Sequence, residues 1–428
     1  MTNEQTKQEP GRREFLGAAG AAAGFMILKP QLVRGSQANS AVRVGLLGCG
    51  GRGTADATGI ASSGPARMVA LADLFEDRLM AAKEHFDDLA NHQGHAGVRA
   101  NGMFQGPHAA EEMMASPEVD AVVIATPPYF HPQHLAAAVN AGKHVYCEKP
   151  VAVDVPSALQ VIETGKKAEG RLSLDVGFQI RKAPPFVELV RRIHAGALGD
   201  IVTGQAHYYC PFIAMHEYPK ASPAEFRLRH WLHDRVLSGD IIVEQNIHVI
   251  DTCNWVLGAH PVKAIGVGSR RGRTEPGDAW SHFDVIFEYP NGVHVSFSST
   301  QFGKGGFDAN ERFFGTRGSS QSPYSGPIQI IGEEAWTWGG SEKPKTGGDF
   351  SVTGNFTDNL AQADPEKHAD FLQSILTGKF HNQAAMGAES ALSAMLGRTA
   401  AYTGREAVWD ELLRSNDHWD AGLDIAKL

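Results

Sequence analysis

A short apolar run, Val42 to Leu47, empties directly into Gly48-Cys49-Gly50-Gly51-Arg52-Gly53, and a segment of small residues follows. The G-x-G-x-x-G spacing after a strand and before a helix leaves few folds open. The first glycine permits a tight strand-to-helix turn, the second lets an anion approach the backbone, and the third lets the helix pack on the strand. A second apolar run, Met68 to Ala72, closes on Asp73, 20 residues beyond Gly53. A carboxylate there accepts hydrogen bonds from both ribose hydroxyls of a dinucleotide and repels a 2′-phosphate. NAD is therefore expected in preference to NADP. Arg52 is the one residue of the loop suited to a 2′-phosphate.

The pattern continues as alternating strands and helices. Arg78 to Leu89, His134 to Ala141 and Ser157 to Ala168 read as helices. Val119 to Ala125, His144 to Cys147 and Leu172 to Val176 read as strands. Such alternation implies βαβ units and a parallel sheet. Beyond about residue 180 longer strands dominate: Ile201 to Tyr209, Val262 to Gly268, His282 to Tyr289 and Val293 to Thr300, the last two joined by Pro290-Asn291-Gly292. The expectation is an α/β chain: a doubly wound Rossmann domain plus an α/β domain with a large open, mostly antiparallel sheet. Domain spans are set at 41–170 and 171–365, with a helical segment at 366–428. Residues 303–350 are rich in Gly, Ser and Pro, and long loops are expected there.

Residues 1–40 read as an address. Arg12-Arg13-Glu14-Phe15-Leu16 precedes a 12-residue apolar, Ala/Gly-rich run, Gly17 to Leu28. That is the layout of a twin-arginine signal, and the run is too short for a stable membrane anchor. The expectations are the twin-arginine export machinery as a partner and a periplasmic or secreted destination. The formal charge of −9 becomes −11 for residues 41–428, because the first forty carry five Lys/Arg against three Asp/Glu. An acidic body argues against nucleic acid as a partner. The four cysteines form no C-x-x-C pair, and no metal site is expected.

Two further segments carry chemistry. Cys147-Glu148-Lys149-Pro150 closes a strand of the first domain, where strand ends face the ligand crevice. A lysine there can bond a substrate hydroxyl and assist its proton. In Glu244-Gln245-Asn246-Ile247-His248-Val249-Ile250-Asp251, a continuous helix would set Glu244 and His248 on one face, with Asp251 nearby. Between His207 and His233 stand Tyr208, Tyr209, His216, Tyr218, His230 and Trp231. This density suits the C–H faces and hydroxyls of a sugar, and equally suits a loop packed on the sheet.

Together these segments resemble the Gfo/Idh/MocA family of NAD(P)-dependent oxidoreductases (glucose–fructose oxidoreductase- and inositol dehydrogenase-like enzymes). The carriers are the glycine loop, Ala125-Thr126-Pro127, Glu148-Lys149-Pro150, Gly196-x-Leu198-Gly199-x-Ile201 and the segment ending His248-x-x-Asp251. The resemblance implies that Lys149 sits beside the nicotinamide and substrate hydroxyl, and that Glu244 and His248 supply acid and base. Glu244 stands where the family has Asp, and Asn246 where it has Gly. It also implies that Gly48, Gly50, Gly51, Arg52, Gly53, Asp73, Thr126, Pro127, His131, Glu148 and Lys149 line the cofactor. Gln179, Arg181, Tyr208, His230 and Trp231 become candidates for the substrate. A homodimer or homotetramer built through the open sheet follows from the same likeness. The expected activity is NAD-dependent oxidation of a hydroxyl on a sugar, glycoside or polyol, with tightly held cofactor and a redox-neutral cycle. The alternatives are an NAD-dependent glycosidase or lyase working by transient oxidation, and a non-catalytic sugar-binding protein.

Overall fold

The computed structural model describes residues 41–339 and 358–428. The export address read at residues 12–28 lies outside them, as does the end of the glycine-rich stretch. Val42–Leu428 forms one compact unit. Its first half is a six-stranded parallel sheet ordered β3-β2-β1-β4-β5-β6. The strands are β1 Val42–Leu47, β2 Ala66–Asp73, β3 Met103–Gln105, β4 Ala121–Ile124, β5 His144–Cys147 and β6 Leu174–Val176. Strand order reverses between β1 and β4, which opens a crevice at the carboxyl ends of the two. β1 and β4 are almost wholly buried, as a parallel sheet covered by helices on both faces requires.

The second half is a nine-stranded sheet, β14-β13-β12-β11-β7-β10-β9-β8-β15, with β15 at Ala407–Val408. The core strands are β7 Ile201–Cys210, β8 Lys263–Ser269, β9 His282–Tyr289 and β10 Val293–Gln301. Neighbours pair antiparallel except β7 with β10. Side chains alternate, so Phe283, Val285 and Phe287 are buried beneath the helix Ala384–Thr403, while Ile286 on the other face is exposed. Asn291 takes the left-handed conformation in the turn between β9 and β10, as the Asn-Gly pair predicts.

The long loops expected at 303–350 are in part strands. β11 Asp308–Gly315, β12 Gly318–Gln321, β13 Gln329–Gly332 and β14 Trp336–Thr337 extend the sheet. Their Gly, Ser and Gln residues have weak strand preference of their own; pairing onto the edge of β7 decides the outcome.

Candidate active site

A cleft of about 510 Å³ runs from the carboxyl ends of β1, β2, β4 and β5 to residues of the second sheet and its connections. The glycine loop forms its floor. Gly48 has φ +92°, and a Cβ there would lie 2.6 Å from the Ala125 backbone. At Gly53 a Cβ would lie 2.2 Å from the Gly48 carbonyl, so helix and strand meet only because the residue is glycine. At Gly50 a Cβ would meet nothing within 4 Å. The space is on the cleft side, where Gly50, Gly51 and Arg52 line the wall at the start of the helix Gly51–Ser62. A backbone cradle with open space before a helix N-terminus suits a pyrophosphate. Asp73 accepts the Cys49 amide at 2.7 Å and the Phe75 amide at 2.9 Å. Burial raises its pKa and those two amides partly offset the rise. Two of its roughly four lone-pair positions remain for ribose hydroxyls.

Arg52 serves a different purpose from the 2′-phosphate contact it suggested in sequence. Its guanidinium pairs with Asp56 at 3.2 Å, Glu148 at 3.2 Å and Asp364 at 3.1 Å, the last from the distant helix Ala363–Thr377. Three carboxylates already satisfy it. Thr126 and Pro127, after β4, line the cleft, and the Thr126 hydroxyl meets His134 Nδ1 at 3.1 Å. His131 also lines it, with both ring nitrogens 2.7 Å from backbone carbonyls, Pro150 and Thr126. His131 thereby ties the loops after β4 and β5 together. Burial lowers its pKa, with the two carbonyls opposing.

Lys149 and Glu244 form the centre of the cleft. The Lys149 ammonium donates to the Glu244 backbone carbonyl at 2.7 Å and to its carboxylate at 2.9 Å. That leaves the third of its N–H groups for a ligand. His248 lines the same cleft, buried, and its Nδ1 has no hydrogen-bond partner. Burial, followed by the neighbouring Lys149 charge, holds its pKa well below the usual histidine value. A neutral, unpartnered imidazole next to an ammonium is equipped to accept a proton.

The expected continuous helix through Glu244 and His248 is broken. Ile241–Glu244 is a short helix and Ile247–Leu257 a second one. The Asn246 amide reaches back to the Ile241 carbonyl at 2.8 Å, five residues earlier, a π-type bond that widens and unwinds the junction. Glu244 consequently faces Lys149 rather than stacking on His248. Asp251 pairs with Arg181 at 2.8 Å and accepts from Ser390 at 2.6 Å. Arg181 is thus committed to a half-buried ion pair and is not among the residues that line the cleft, contrary to expectation.

Gln179 lines the cleft, buried, with its amide nitrogen unpartnered. Tyr208, His230 and Trp231 line it as well. His230 has both nitrogens on backbone carbonyls, Phe226 at 2.9 Å and His216 at 2.8 Å. The aromatic cluster divides by strand parity: Tyr208 points inward, whereas His207 and Tyr209 stack on each other on the sheet's outer face. Sequence reading did not single out Gln245 or Arg229, both cleft residues. Neither carries a local signal, since Gln245 is placed by Gln301 at 3.1 Å and Arg229 by Asp77 at 2.9 Å.

Comparison with known proteins agrees with this geometry. The model of an oxidoreductase family with an NAD-binding Rossmann fold (GFO/IDH/MocA) matches residues 42–176, and that of the family's C-terminal domain matches residues 186–321. Inositol 2-dehydrogenase 4 of Saccharopolyspora erythraea is 30% identical over 310 residues, covering 72% of this chain and 80% of that protein. Levoglucosan dehydrogenase, solved with NADH and levoglucosan, superposes with a TM-score of 0.65 at 18% identity, over 86% of this chain and 99% of that one. Aldose-aldose oxidoreductase from Caulobacter crescentus, complexed with glycerol, superposes with a TM-score of 0.64 at 20% identity, over 86% and 99%.

Proposed function

Because the chain belongs to the Gfo/Idh/MocA oxidoreductases, whose NAD-binding Rossmann domain it carries, we propose that it oxidises a secondary hydroxyl of a cyclitol, sugar or glycoside. One observation carries this reading: an ammonium with a spare N–H and a neutral, unpartnered imidazole share a cleft with a backbone cradle for pyrophosphate. NAD, when bound, accepts the hydride from the carbinol carbon. Lys149 bonds the hydroxyl oxygen and stabilises negative charge as it develops. His248 takes the hydroxyl proton. Glu244 orients the ammonium through two hydrogen bonds. Gln179, with its amide nitrogen buried and unpaired, supplies a donor to a neighbouring hydroxyl. A polyol fits a wall of this kind, because an apolar ligand would leave those groups unsatisfied. The inositol and levoglucosan substrates in the relatives' names support the same class.

A cycle that returns the hydride to a second carbonyl compound, as the name of the aldose-aldose oxidoreductase suggests for that protein, would suit a chain exported with its cofactor. The test is to denature the purified protein and quantify released nucleotide, then mix native protein with NAD and a panel of cyclitols, pyranoses and aryl glycosides. A rise in nicotinamide absorbance with a cyclitol or sugar is expected. Free aglycone without net NADH marks the elimination route instead. No bound nucleotide and no turnover on any member would remove the proposal's support.

Assembly is proposed through the outer face of the second sheet. Ile265, Val267, Ile286, Phe314 and Ile331 are exposed there, Val267 by 63%. Two exposed apolar clusters on one sheet face, at β8–β9 and at β11–β13 with the polar strip of β7 and β10 between them, mark an interface on an otherwise acidic protein. Light scattering should report a dimer or tetramer, and Val267→Lys should lower the mass toward that of one chain.

A further inference from the structure

The cleft is roofed at one end by chain from the opposite half of the molecule. After β7, residues 211–234 cross to the loop that follows β2. They include the short helix Pro223–Arg229. Arg229 forms a bidentate pair with Asp77, both contacts at 2.9 Å, and a third bond with Glu225 at 2.7 Å. Its guanidinium lies 3.9 Å from the centre of the Phe75 ring and 4.5 Å from that of Tyr218. Arg78 donates to the Tyr218 hydroxyl at 2.9 Å. Leu228, Phe130, Leu237 and Ala421 close a small apolar cluster alongside, into which the C-terminal tail brings Ile425. Phe75, Arg78, Arg229 and Ile425 all line the cleft.

The position of this roof follows from the fold. Asp73 ends β2, and in a Rossmann domain the end of β2 holds the adenosine ribose. Phe75 and Asp77 therefore lie at the adenosine end, while Lys149 and His248 lie at the nicotinamide end. The roof's contacts suit a latch. Arg229 is nearly buried, with a side-chain exposure of 9%, whereas Asp77 is 56% exposed and open to competing water. Such a pair holds firmly in its closed state and still has a route to open.

We propose that Arg229, paired with Asp77 and clamped between Phe75 and Tyr218, latches segment 211–234 over the adenosine half of the cleft, so that dinucleotide leaves only when the latch opens. This rests on the NAD-binding reading above and adds a residue that sets how long the cofactor stays. Arg229 acts on retention and takes no part in the proton chemistry.

The measurement is the release rate of NADH from the full-length protein, followed by nicotinamide fluorescence after a chase with excess ADP-ribose. Arg229→Gln and Asp77→Asn should each speed release about tenfold, the size expected from losing a charge pair and a ring contact. The double variant should be no faster than the faster single one, since both remove the same pair. Added salt should speed release from the unaltered protein and leave Arg229→Gln unmoved. Arg229→Lys keeps the charge and loses the planar fork, so an intermediate rate is expected and covers the case in which Arg229→Gln misfolds. Folded variants that hold NADH as long as the unaltered protein would overturn the latch and leave the cofactor assignment standing. An unaltered protein that binds no NADH would overturn both.

Discussion

Replacing Lys149 with Met is expected to lower turnover about a thousandfold while NADH binding stays within a few-fold of normal. The magnitude is that of a positioned proton-transfer and charge-stabilising group. Binding survives because the pyrophosphate cradle is made of backbone at Gly48 to Gly53, which Lys149 does not touch. A purely structural lysine would show the reverse, with lost stability and little change in kcat. The pH profile separates the two cases further. His248 is held below its usual pKa by burial first and by the Lys149 charge second. It is therefore neutral, and able to accept a proton, at every pH above its own depressed value. In the unaltered protein kcat/KM should fall only below pH about 6.5, the ordinary histidine value. Lys149→Met removes the cation that helps to depress His248, so the acid limb of the residual activity should move upward in pH. His248→Asn should abolish the limb altogether. Profiles of all three proteins with one substrate would settle it, and an unmoved limb in Lys149→Met would separate the two groups.

The first half of this site is legible in sequence because it is local. The strand, the glycine loop, the helix and the acidic residue at the end of β2 follow one another within 32 residues, each requiring the next. Lys149 and His248 are legible as chemistry, and Tyr208 becomes so once strand alternation is applied, which sends His207 and Tyr209 to the other face. What sequence conceals is set by distant partners. Arg52 looks like a phosphate ligand until Glu148 and Asp364, 96 and 312 residues away, take it up. The short helix that ends at Gln245-Asn246 is started by Asp240, whose backbone has positive φ and whose carboxylate accepts the amides of Ile241 and of the distant Trp280. No local period signals the break there. Strands β11 to β14 exist because β7 offers an unpaired edge, and their own composition reads as loop.

Replacing Lys367 with Met is expected to cost about 3–5 kcal/mol of stability, the range found when one partner is taken from a buried charge cluster. Lys367 lies on the helix Ala363–Thr377, almost wholly buried. Its ammonium is 3.1 Å from Asp364, 3.4 Å from Glu148 and 3.5 Å from Asp56. With Arg52 it balances those three carboxylates, and His368 adds a contact to Asp56 at 2.8 Å. Burial alone would raise the carboxyl groups of Glu148 and Asp364. The Arg52 and Lys367 charges outweigh it and hold both below the usual carboxylate range. Both groups therefore favour the folded state at pH values above their unfolded pKa, about 4, and that contribution is lost as pH falls through their lower folded values. Without Lys367 a single guanidinium faces three buried carboxylates. The cost should be largest at neutral pH and should shrink toward pH 4, where protonation relieves the excess negative charge. Glu148→Gln in the Lys367→Met background should recover part of the loss, because it removes one stranded charge. Urea unfolding of the single and double variants at pH 7 and pH 5 measures both effects. A loss below about 1 kcal/mol at pH 7, the range of exposed ion pairs, would mean that water reaches the cluster and screens it. The same cluster bears on the chemistry, since Glu148 also accepts the Lys149 amide at 3.1 Å. A relaxed Glu148 would let the loop carrying Lys149 shift against the cleft. Lys367→Met should then lower kcat even under conditions where the variant is fully folded, although Lys367 lies outside the cleft lining.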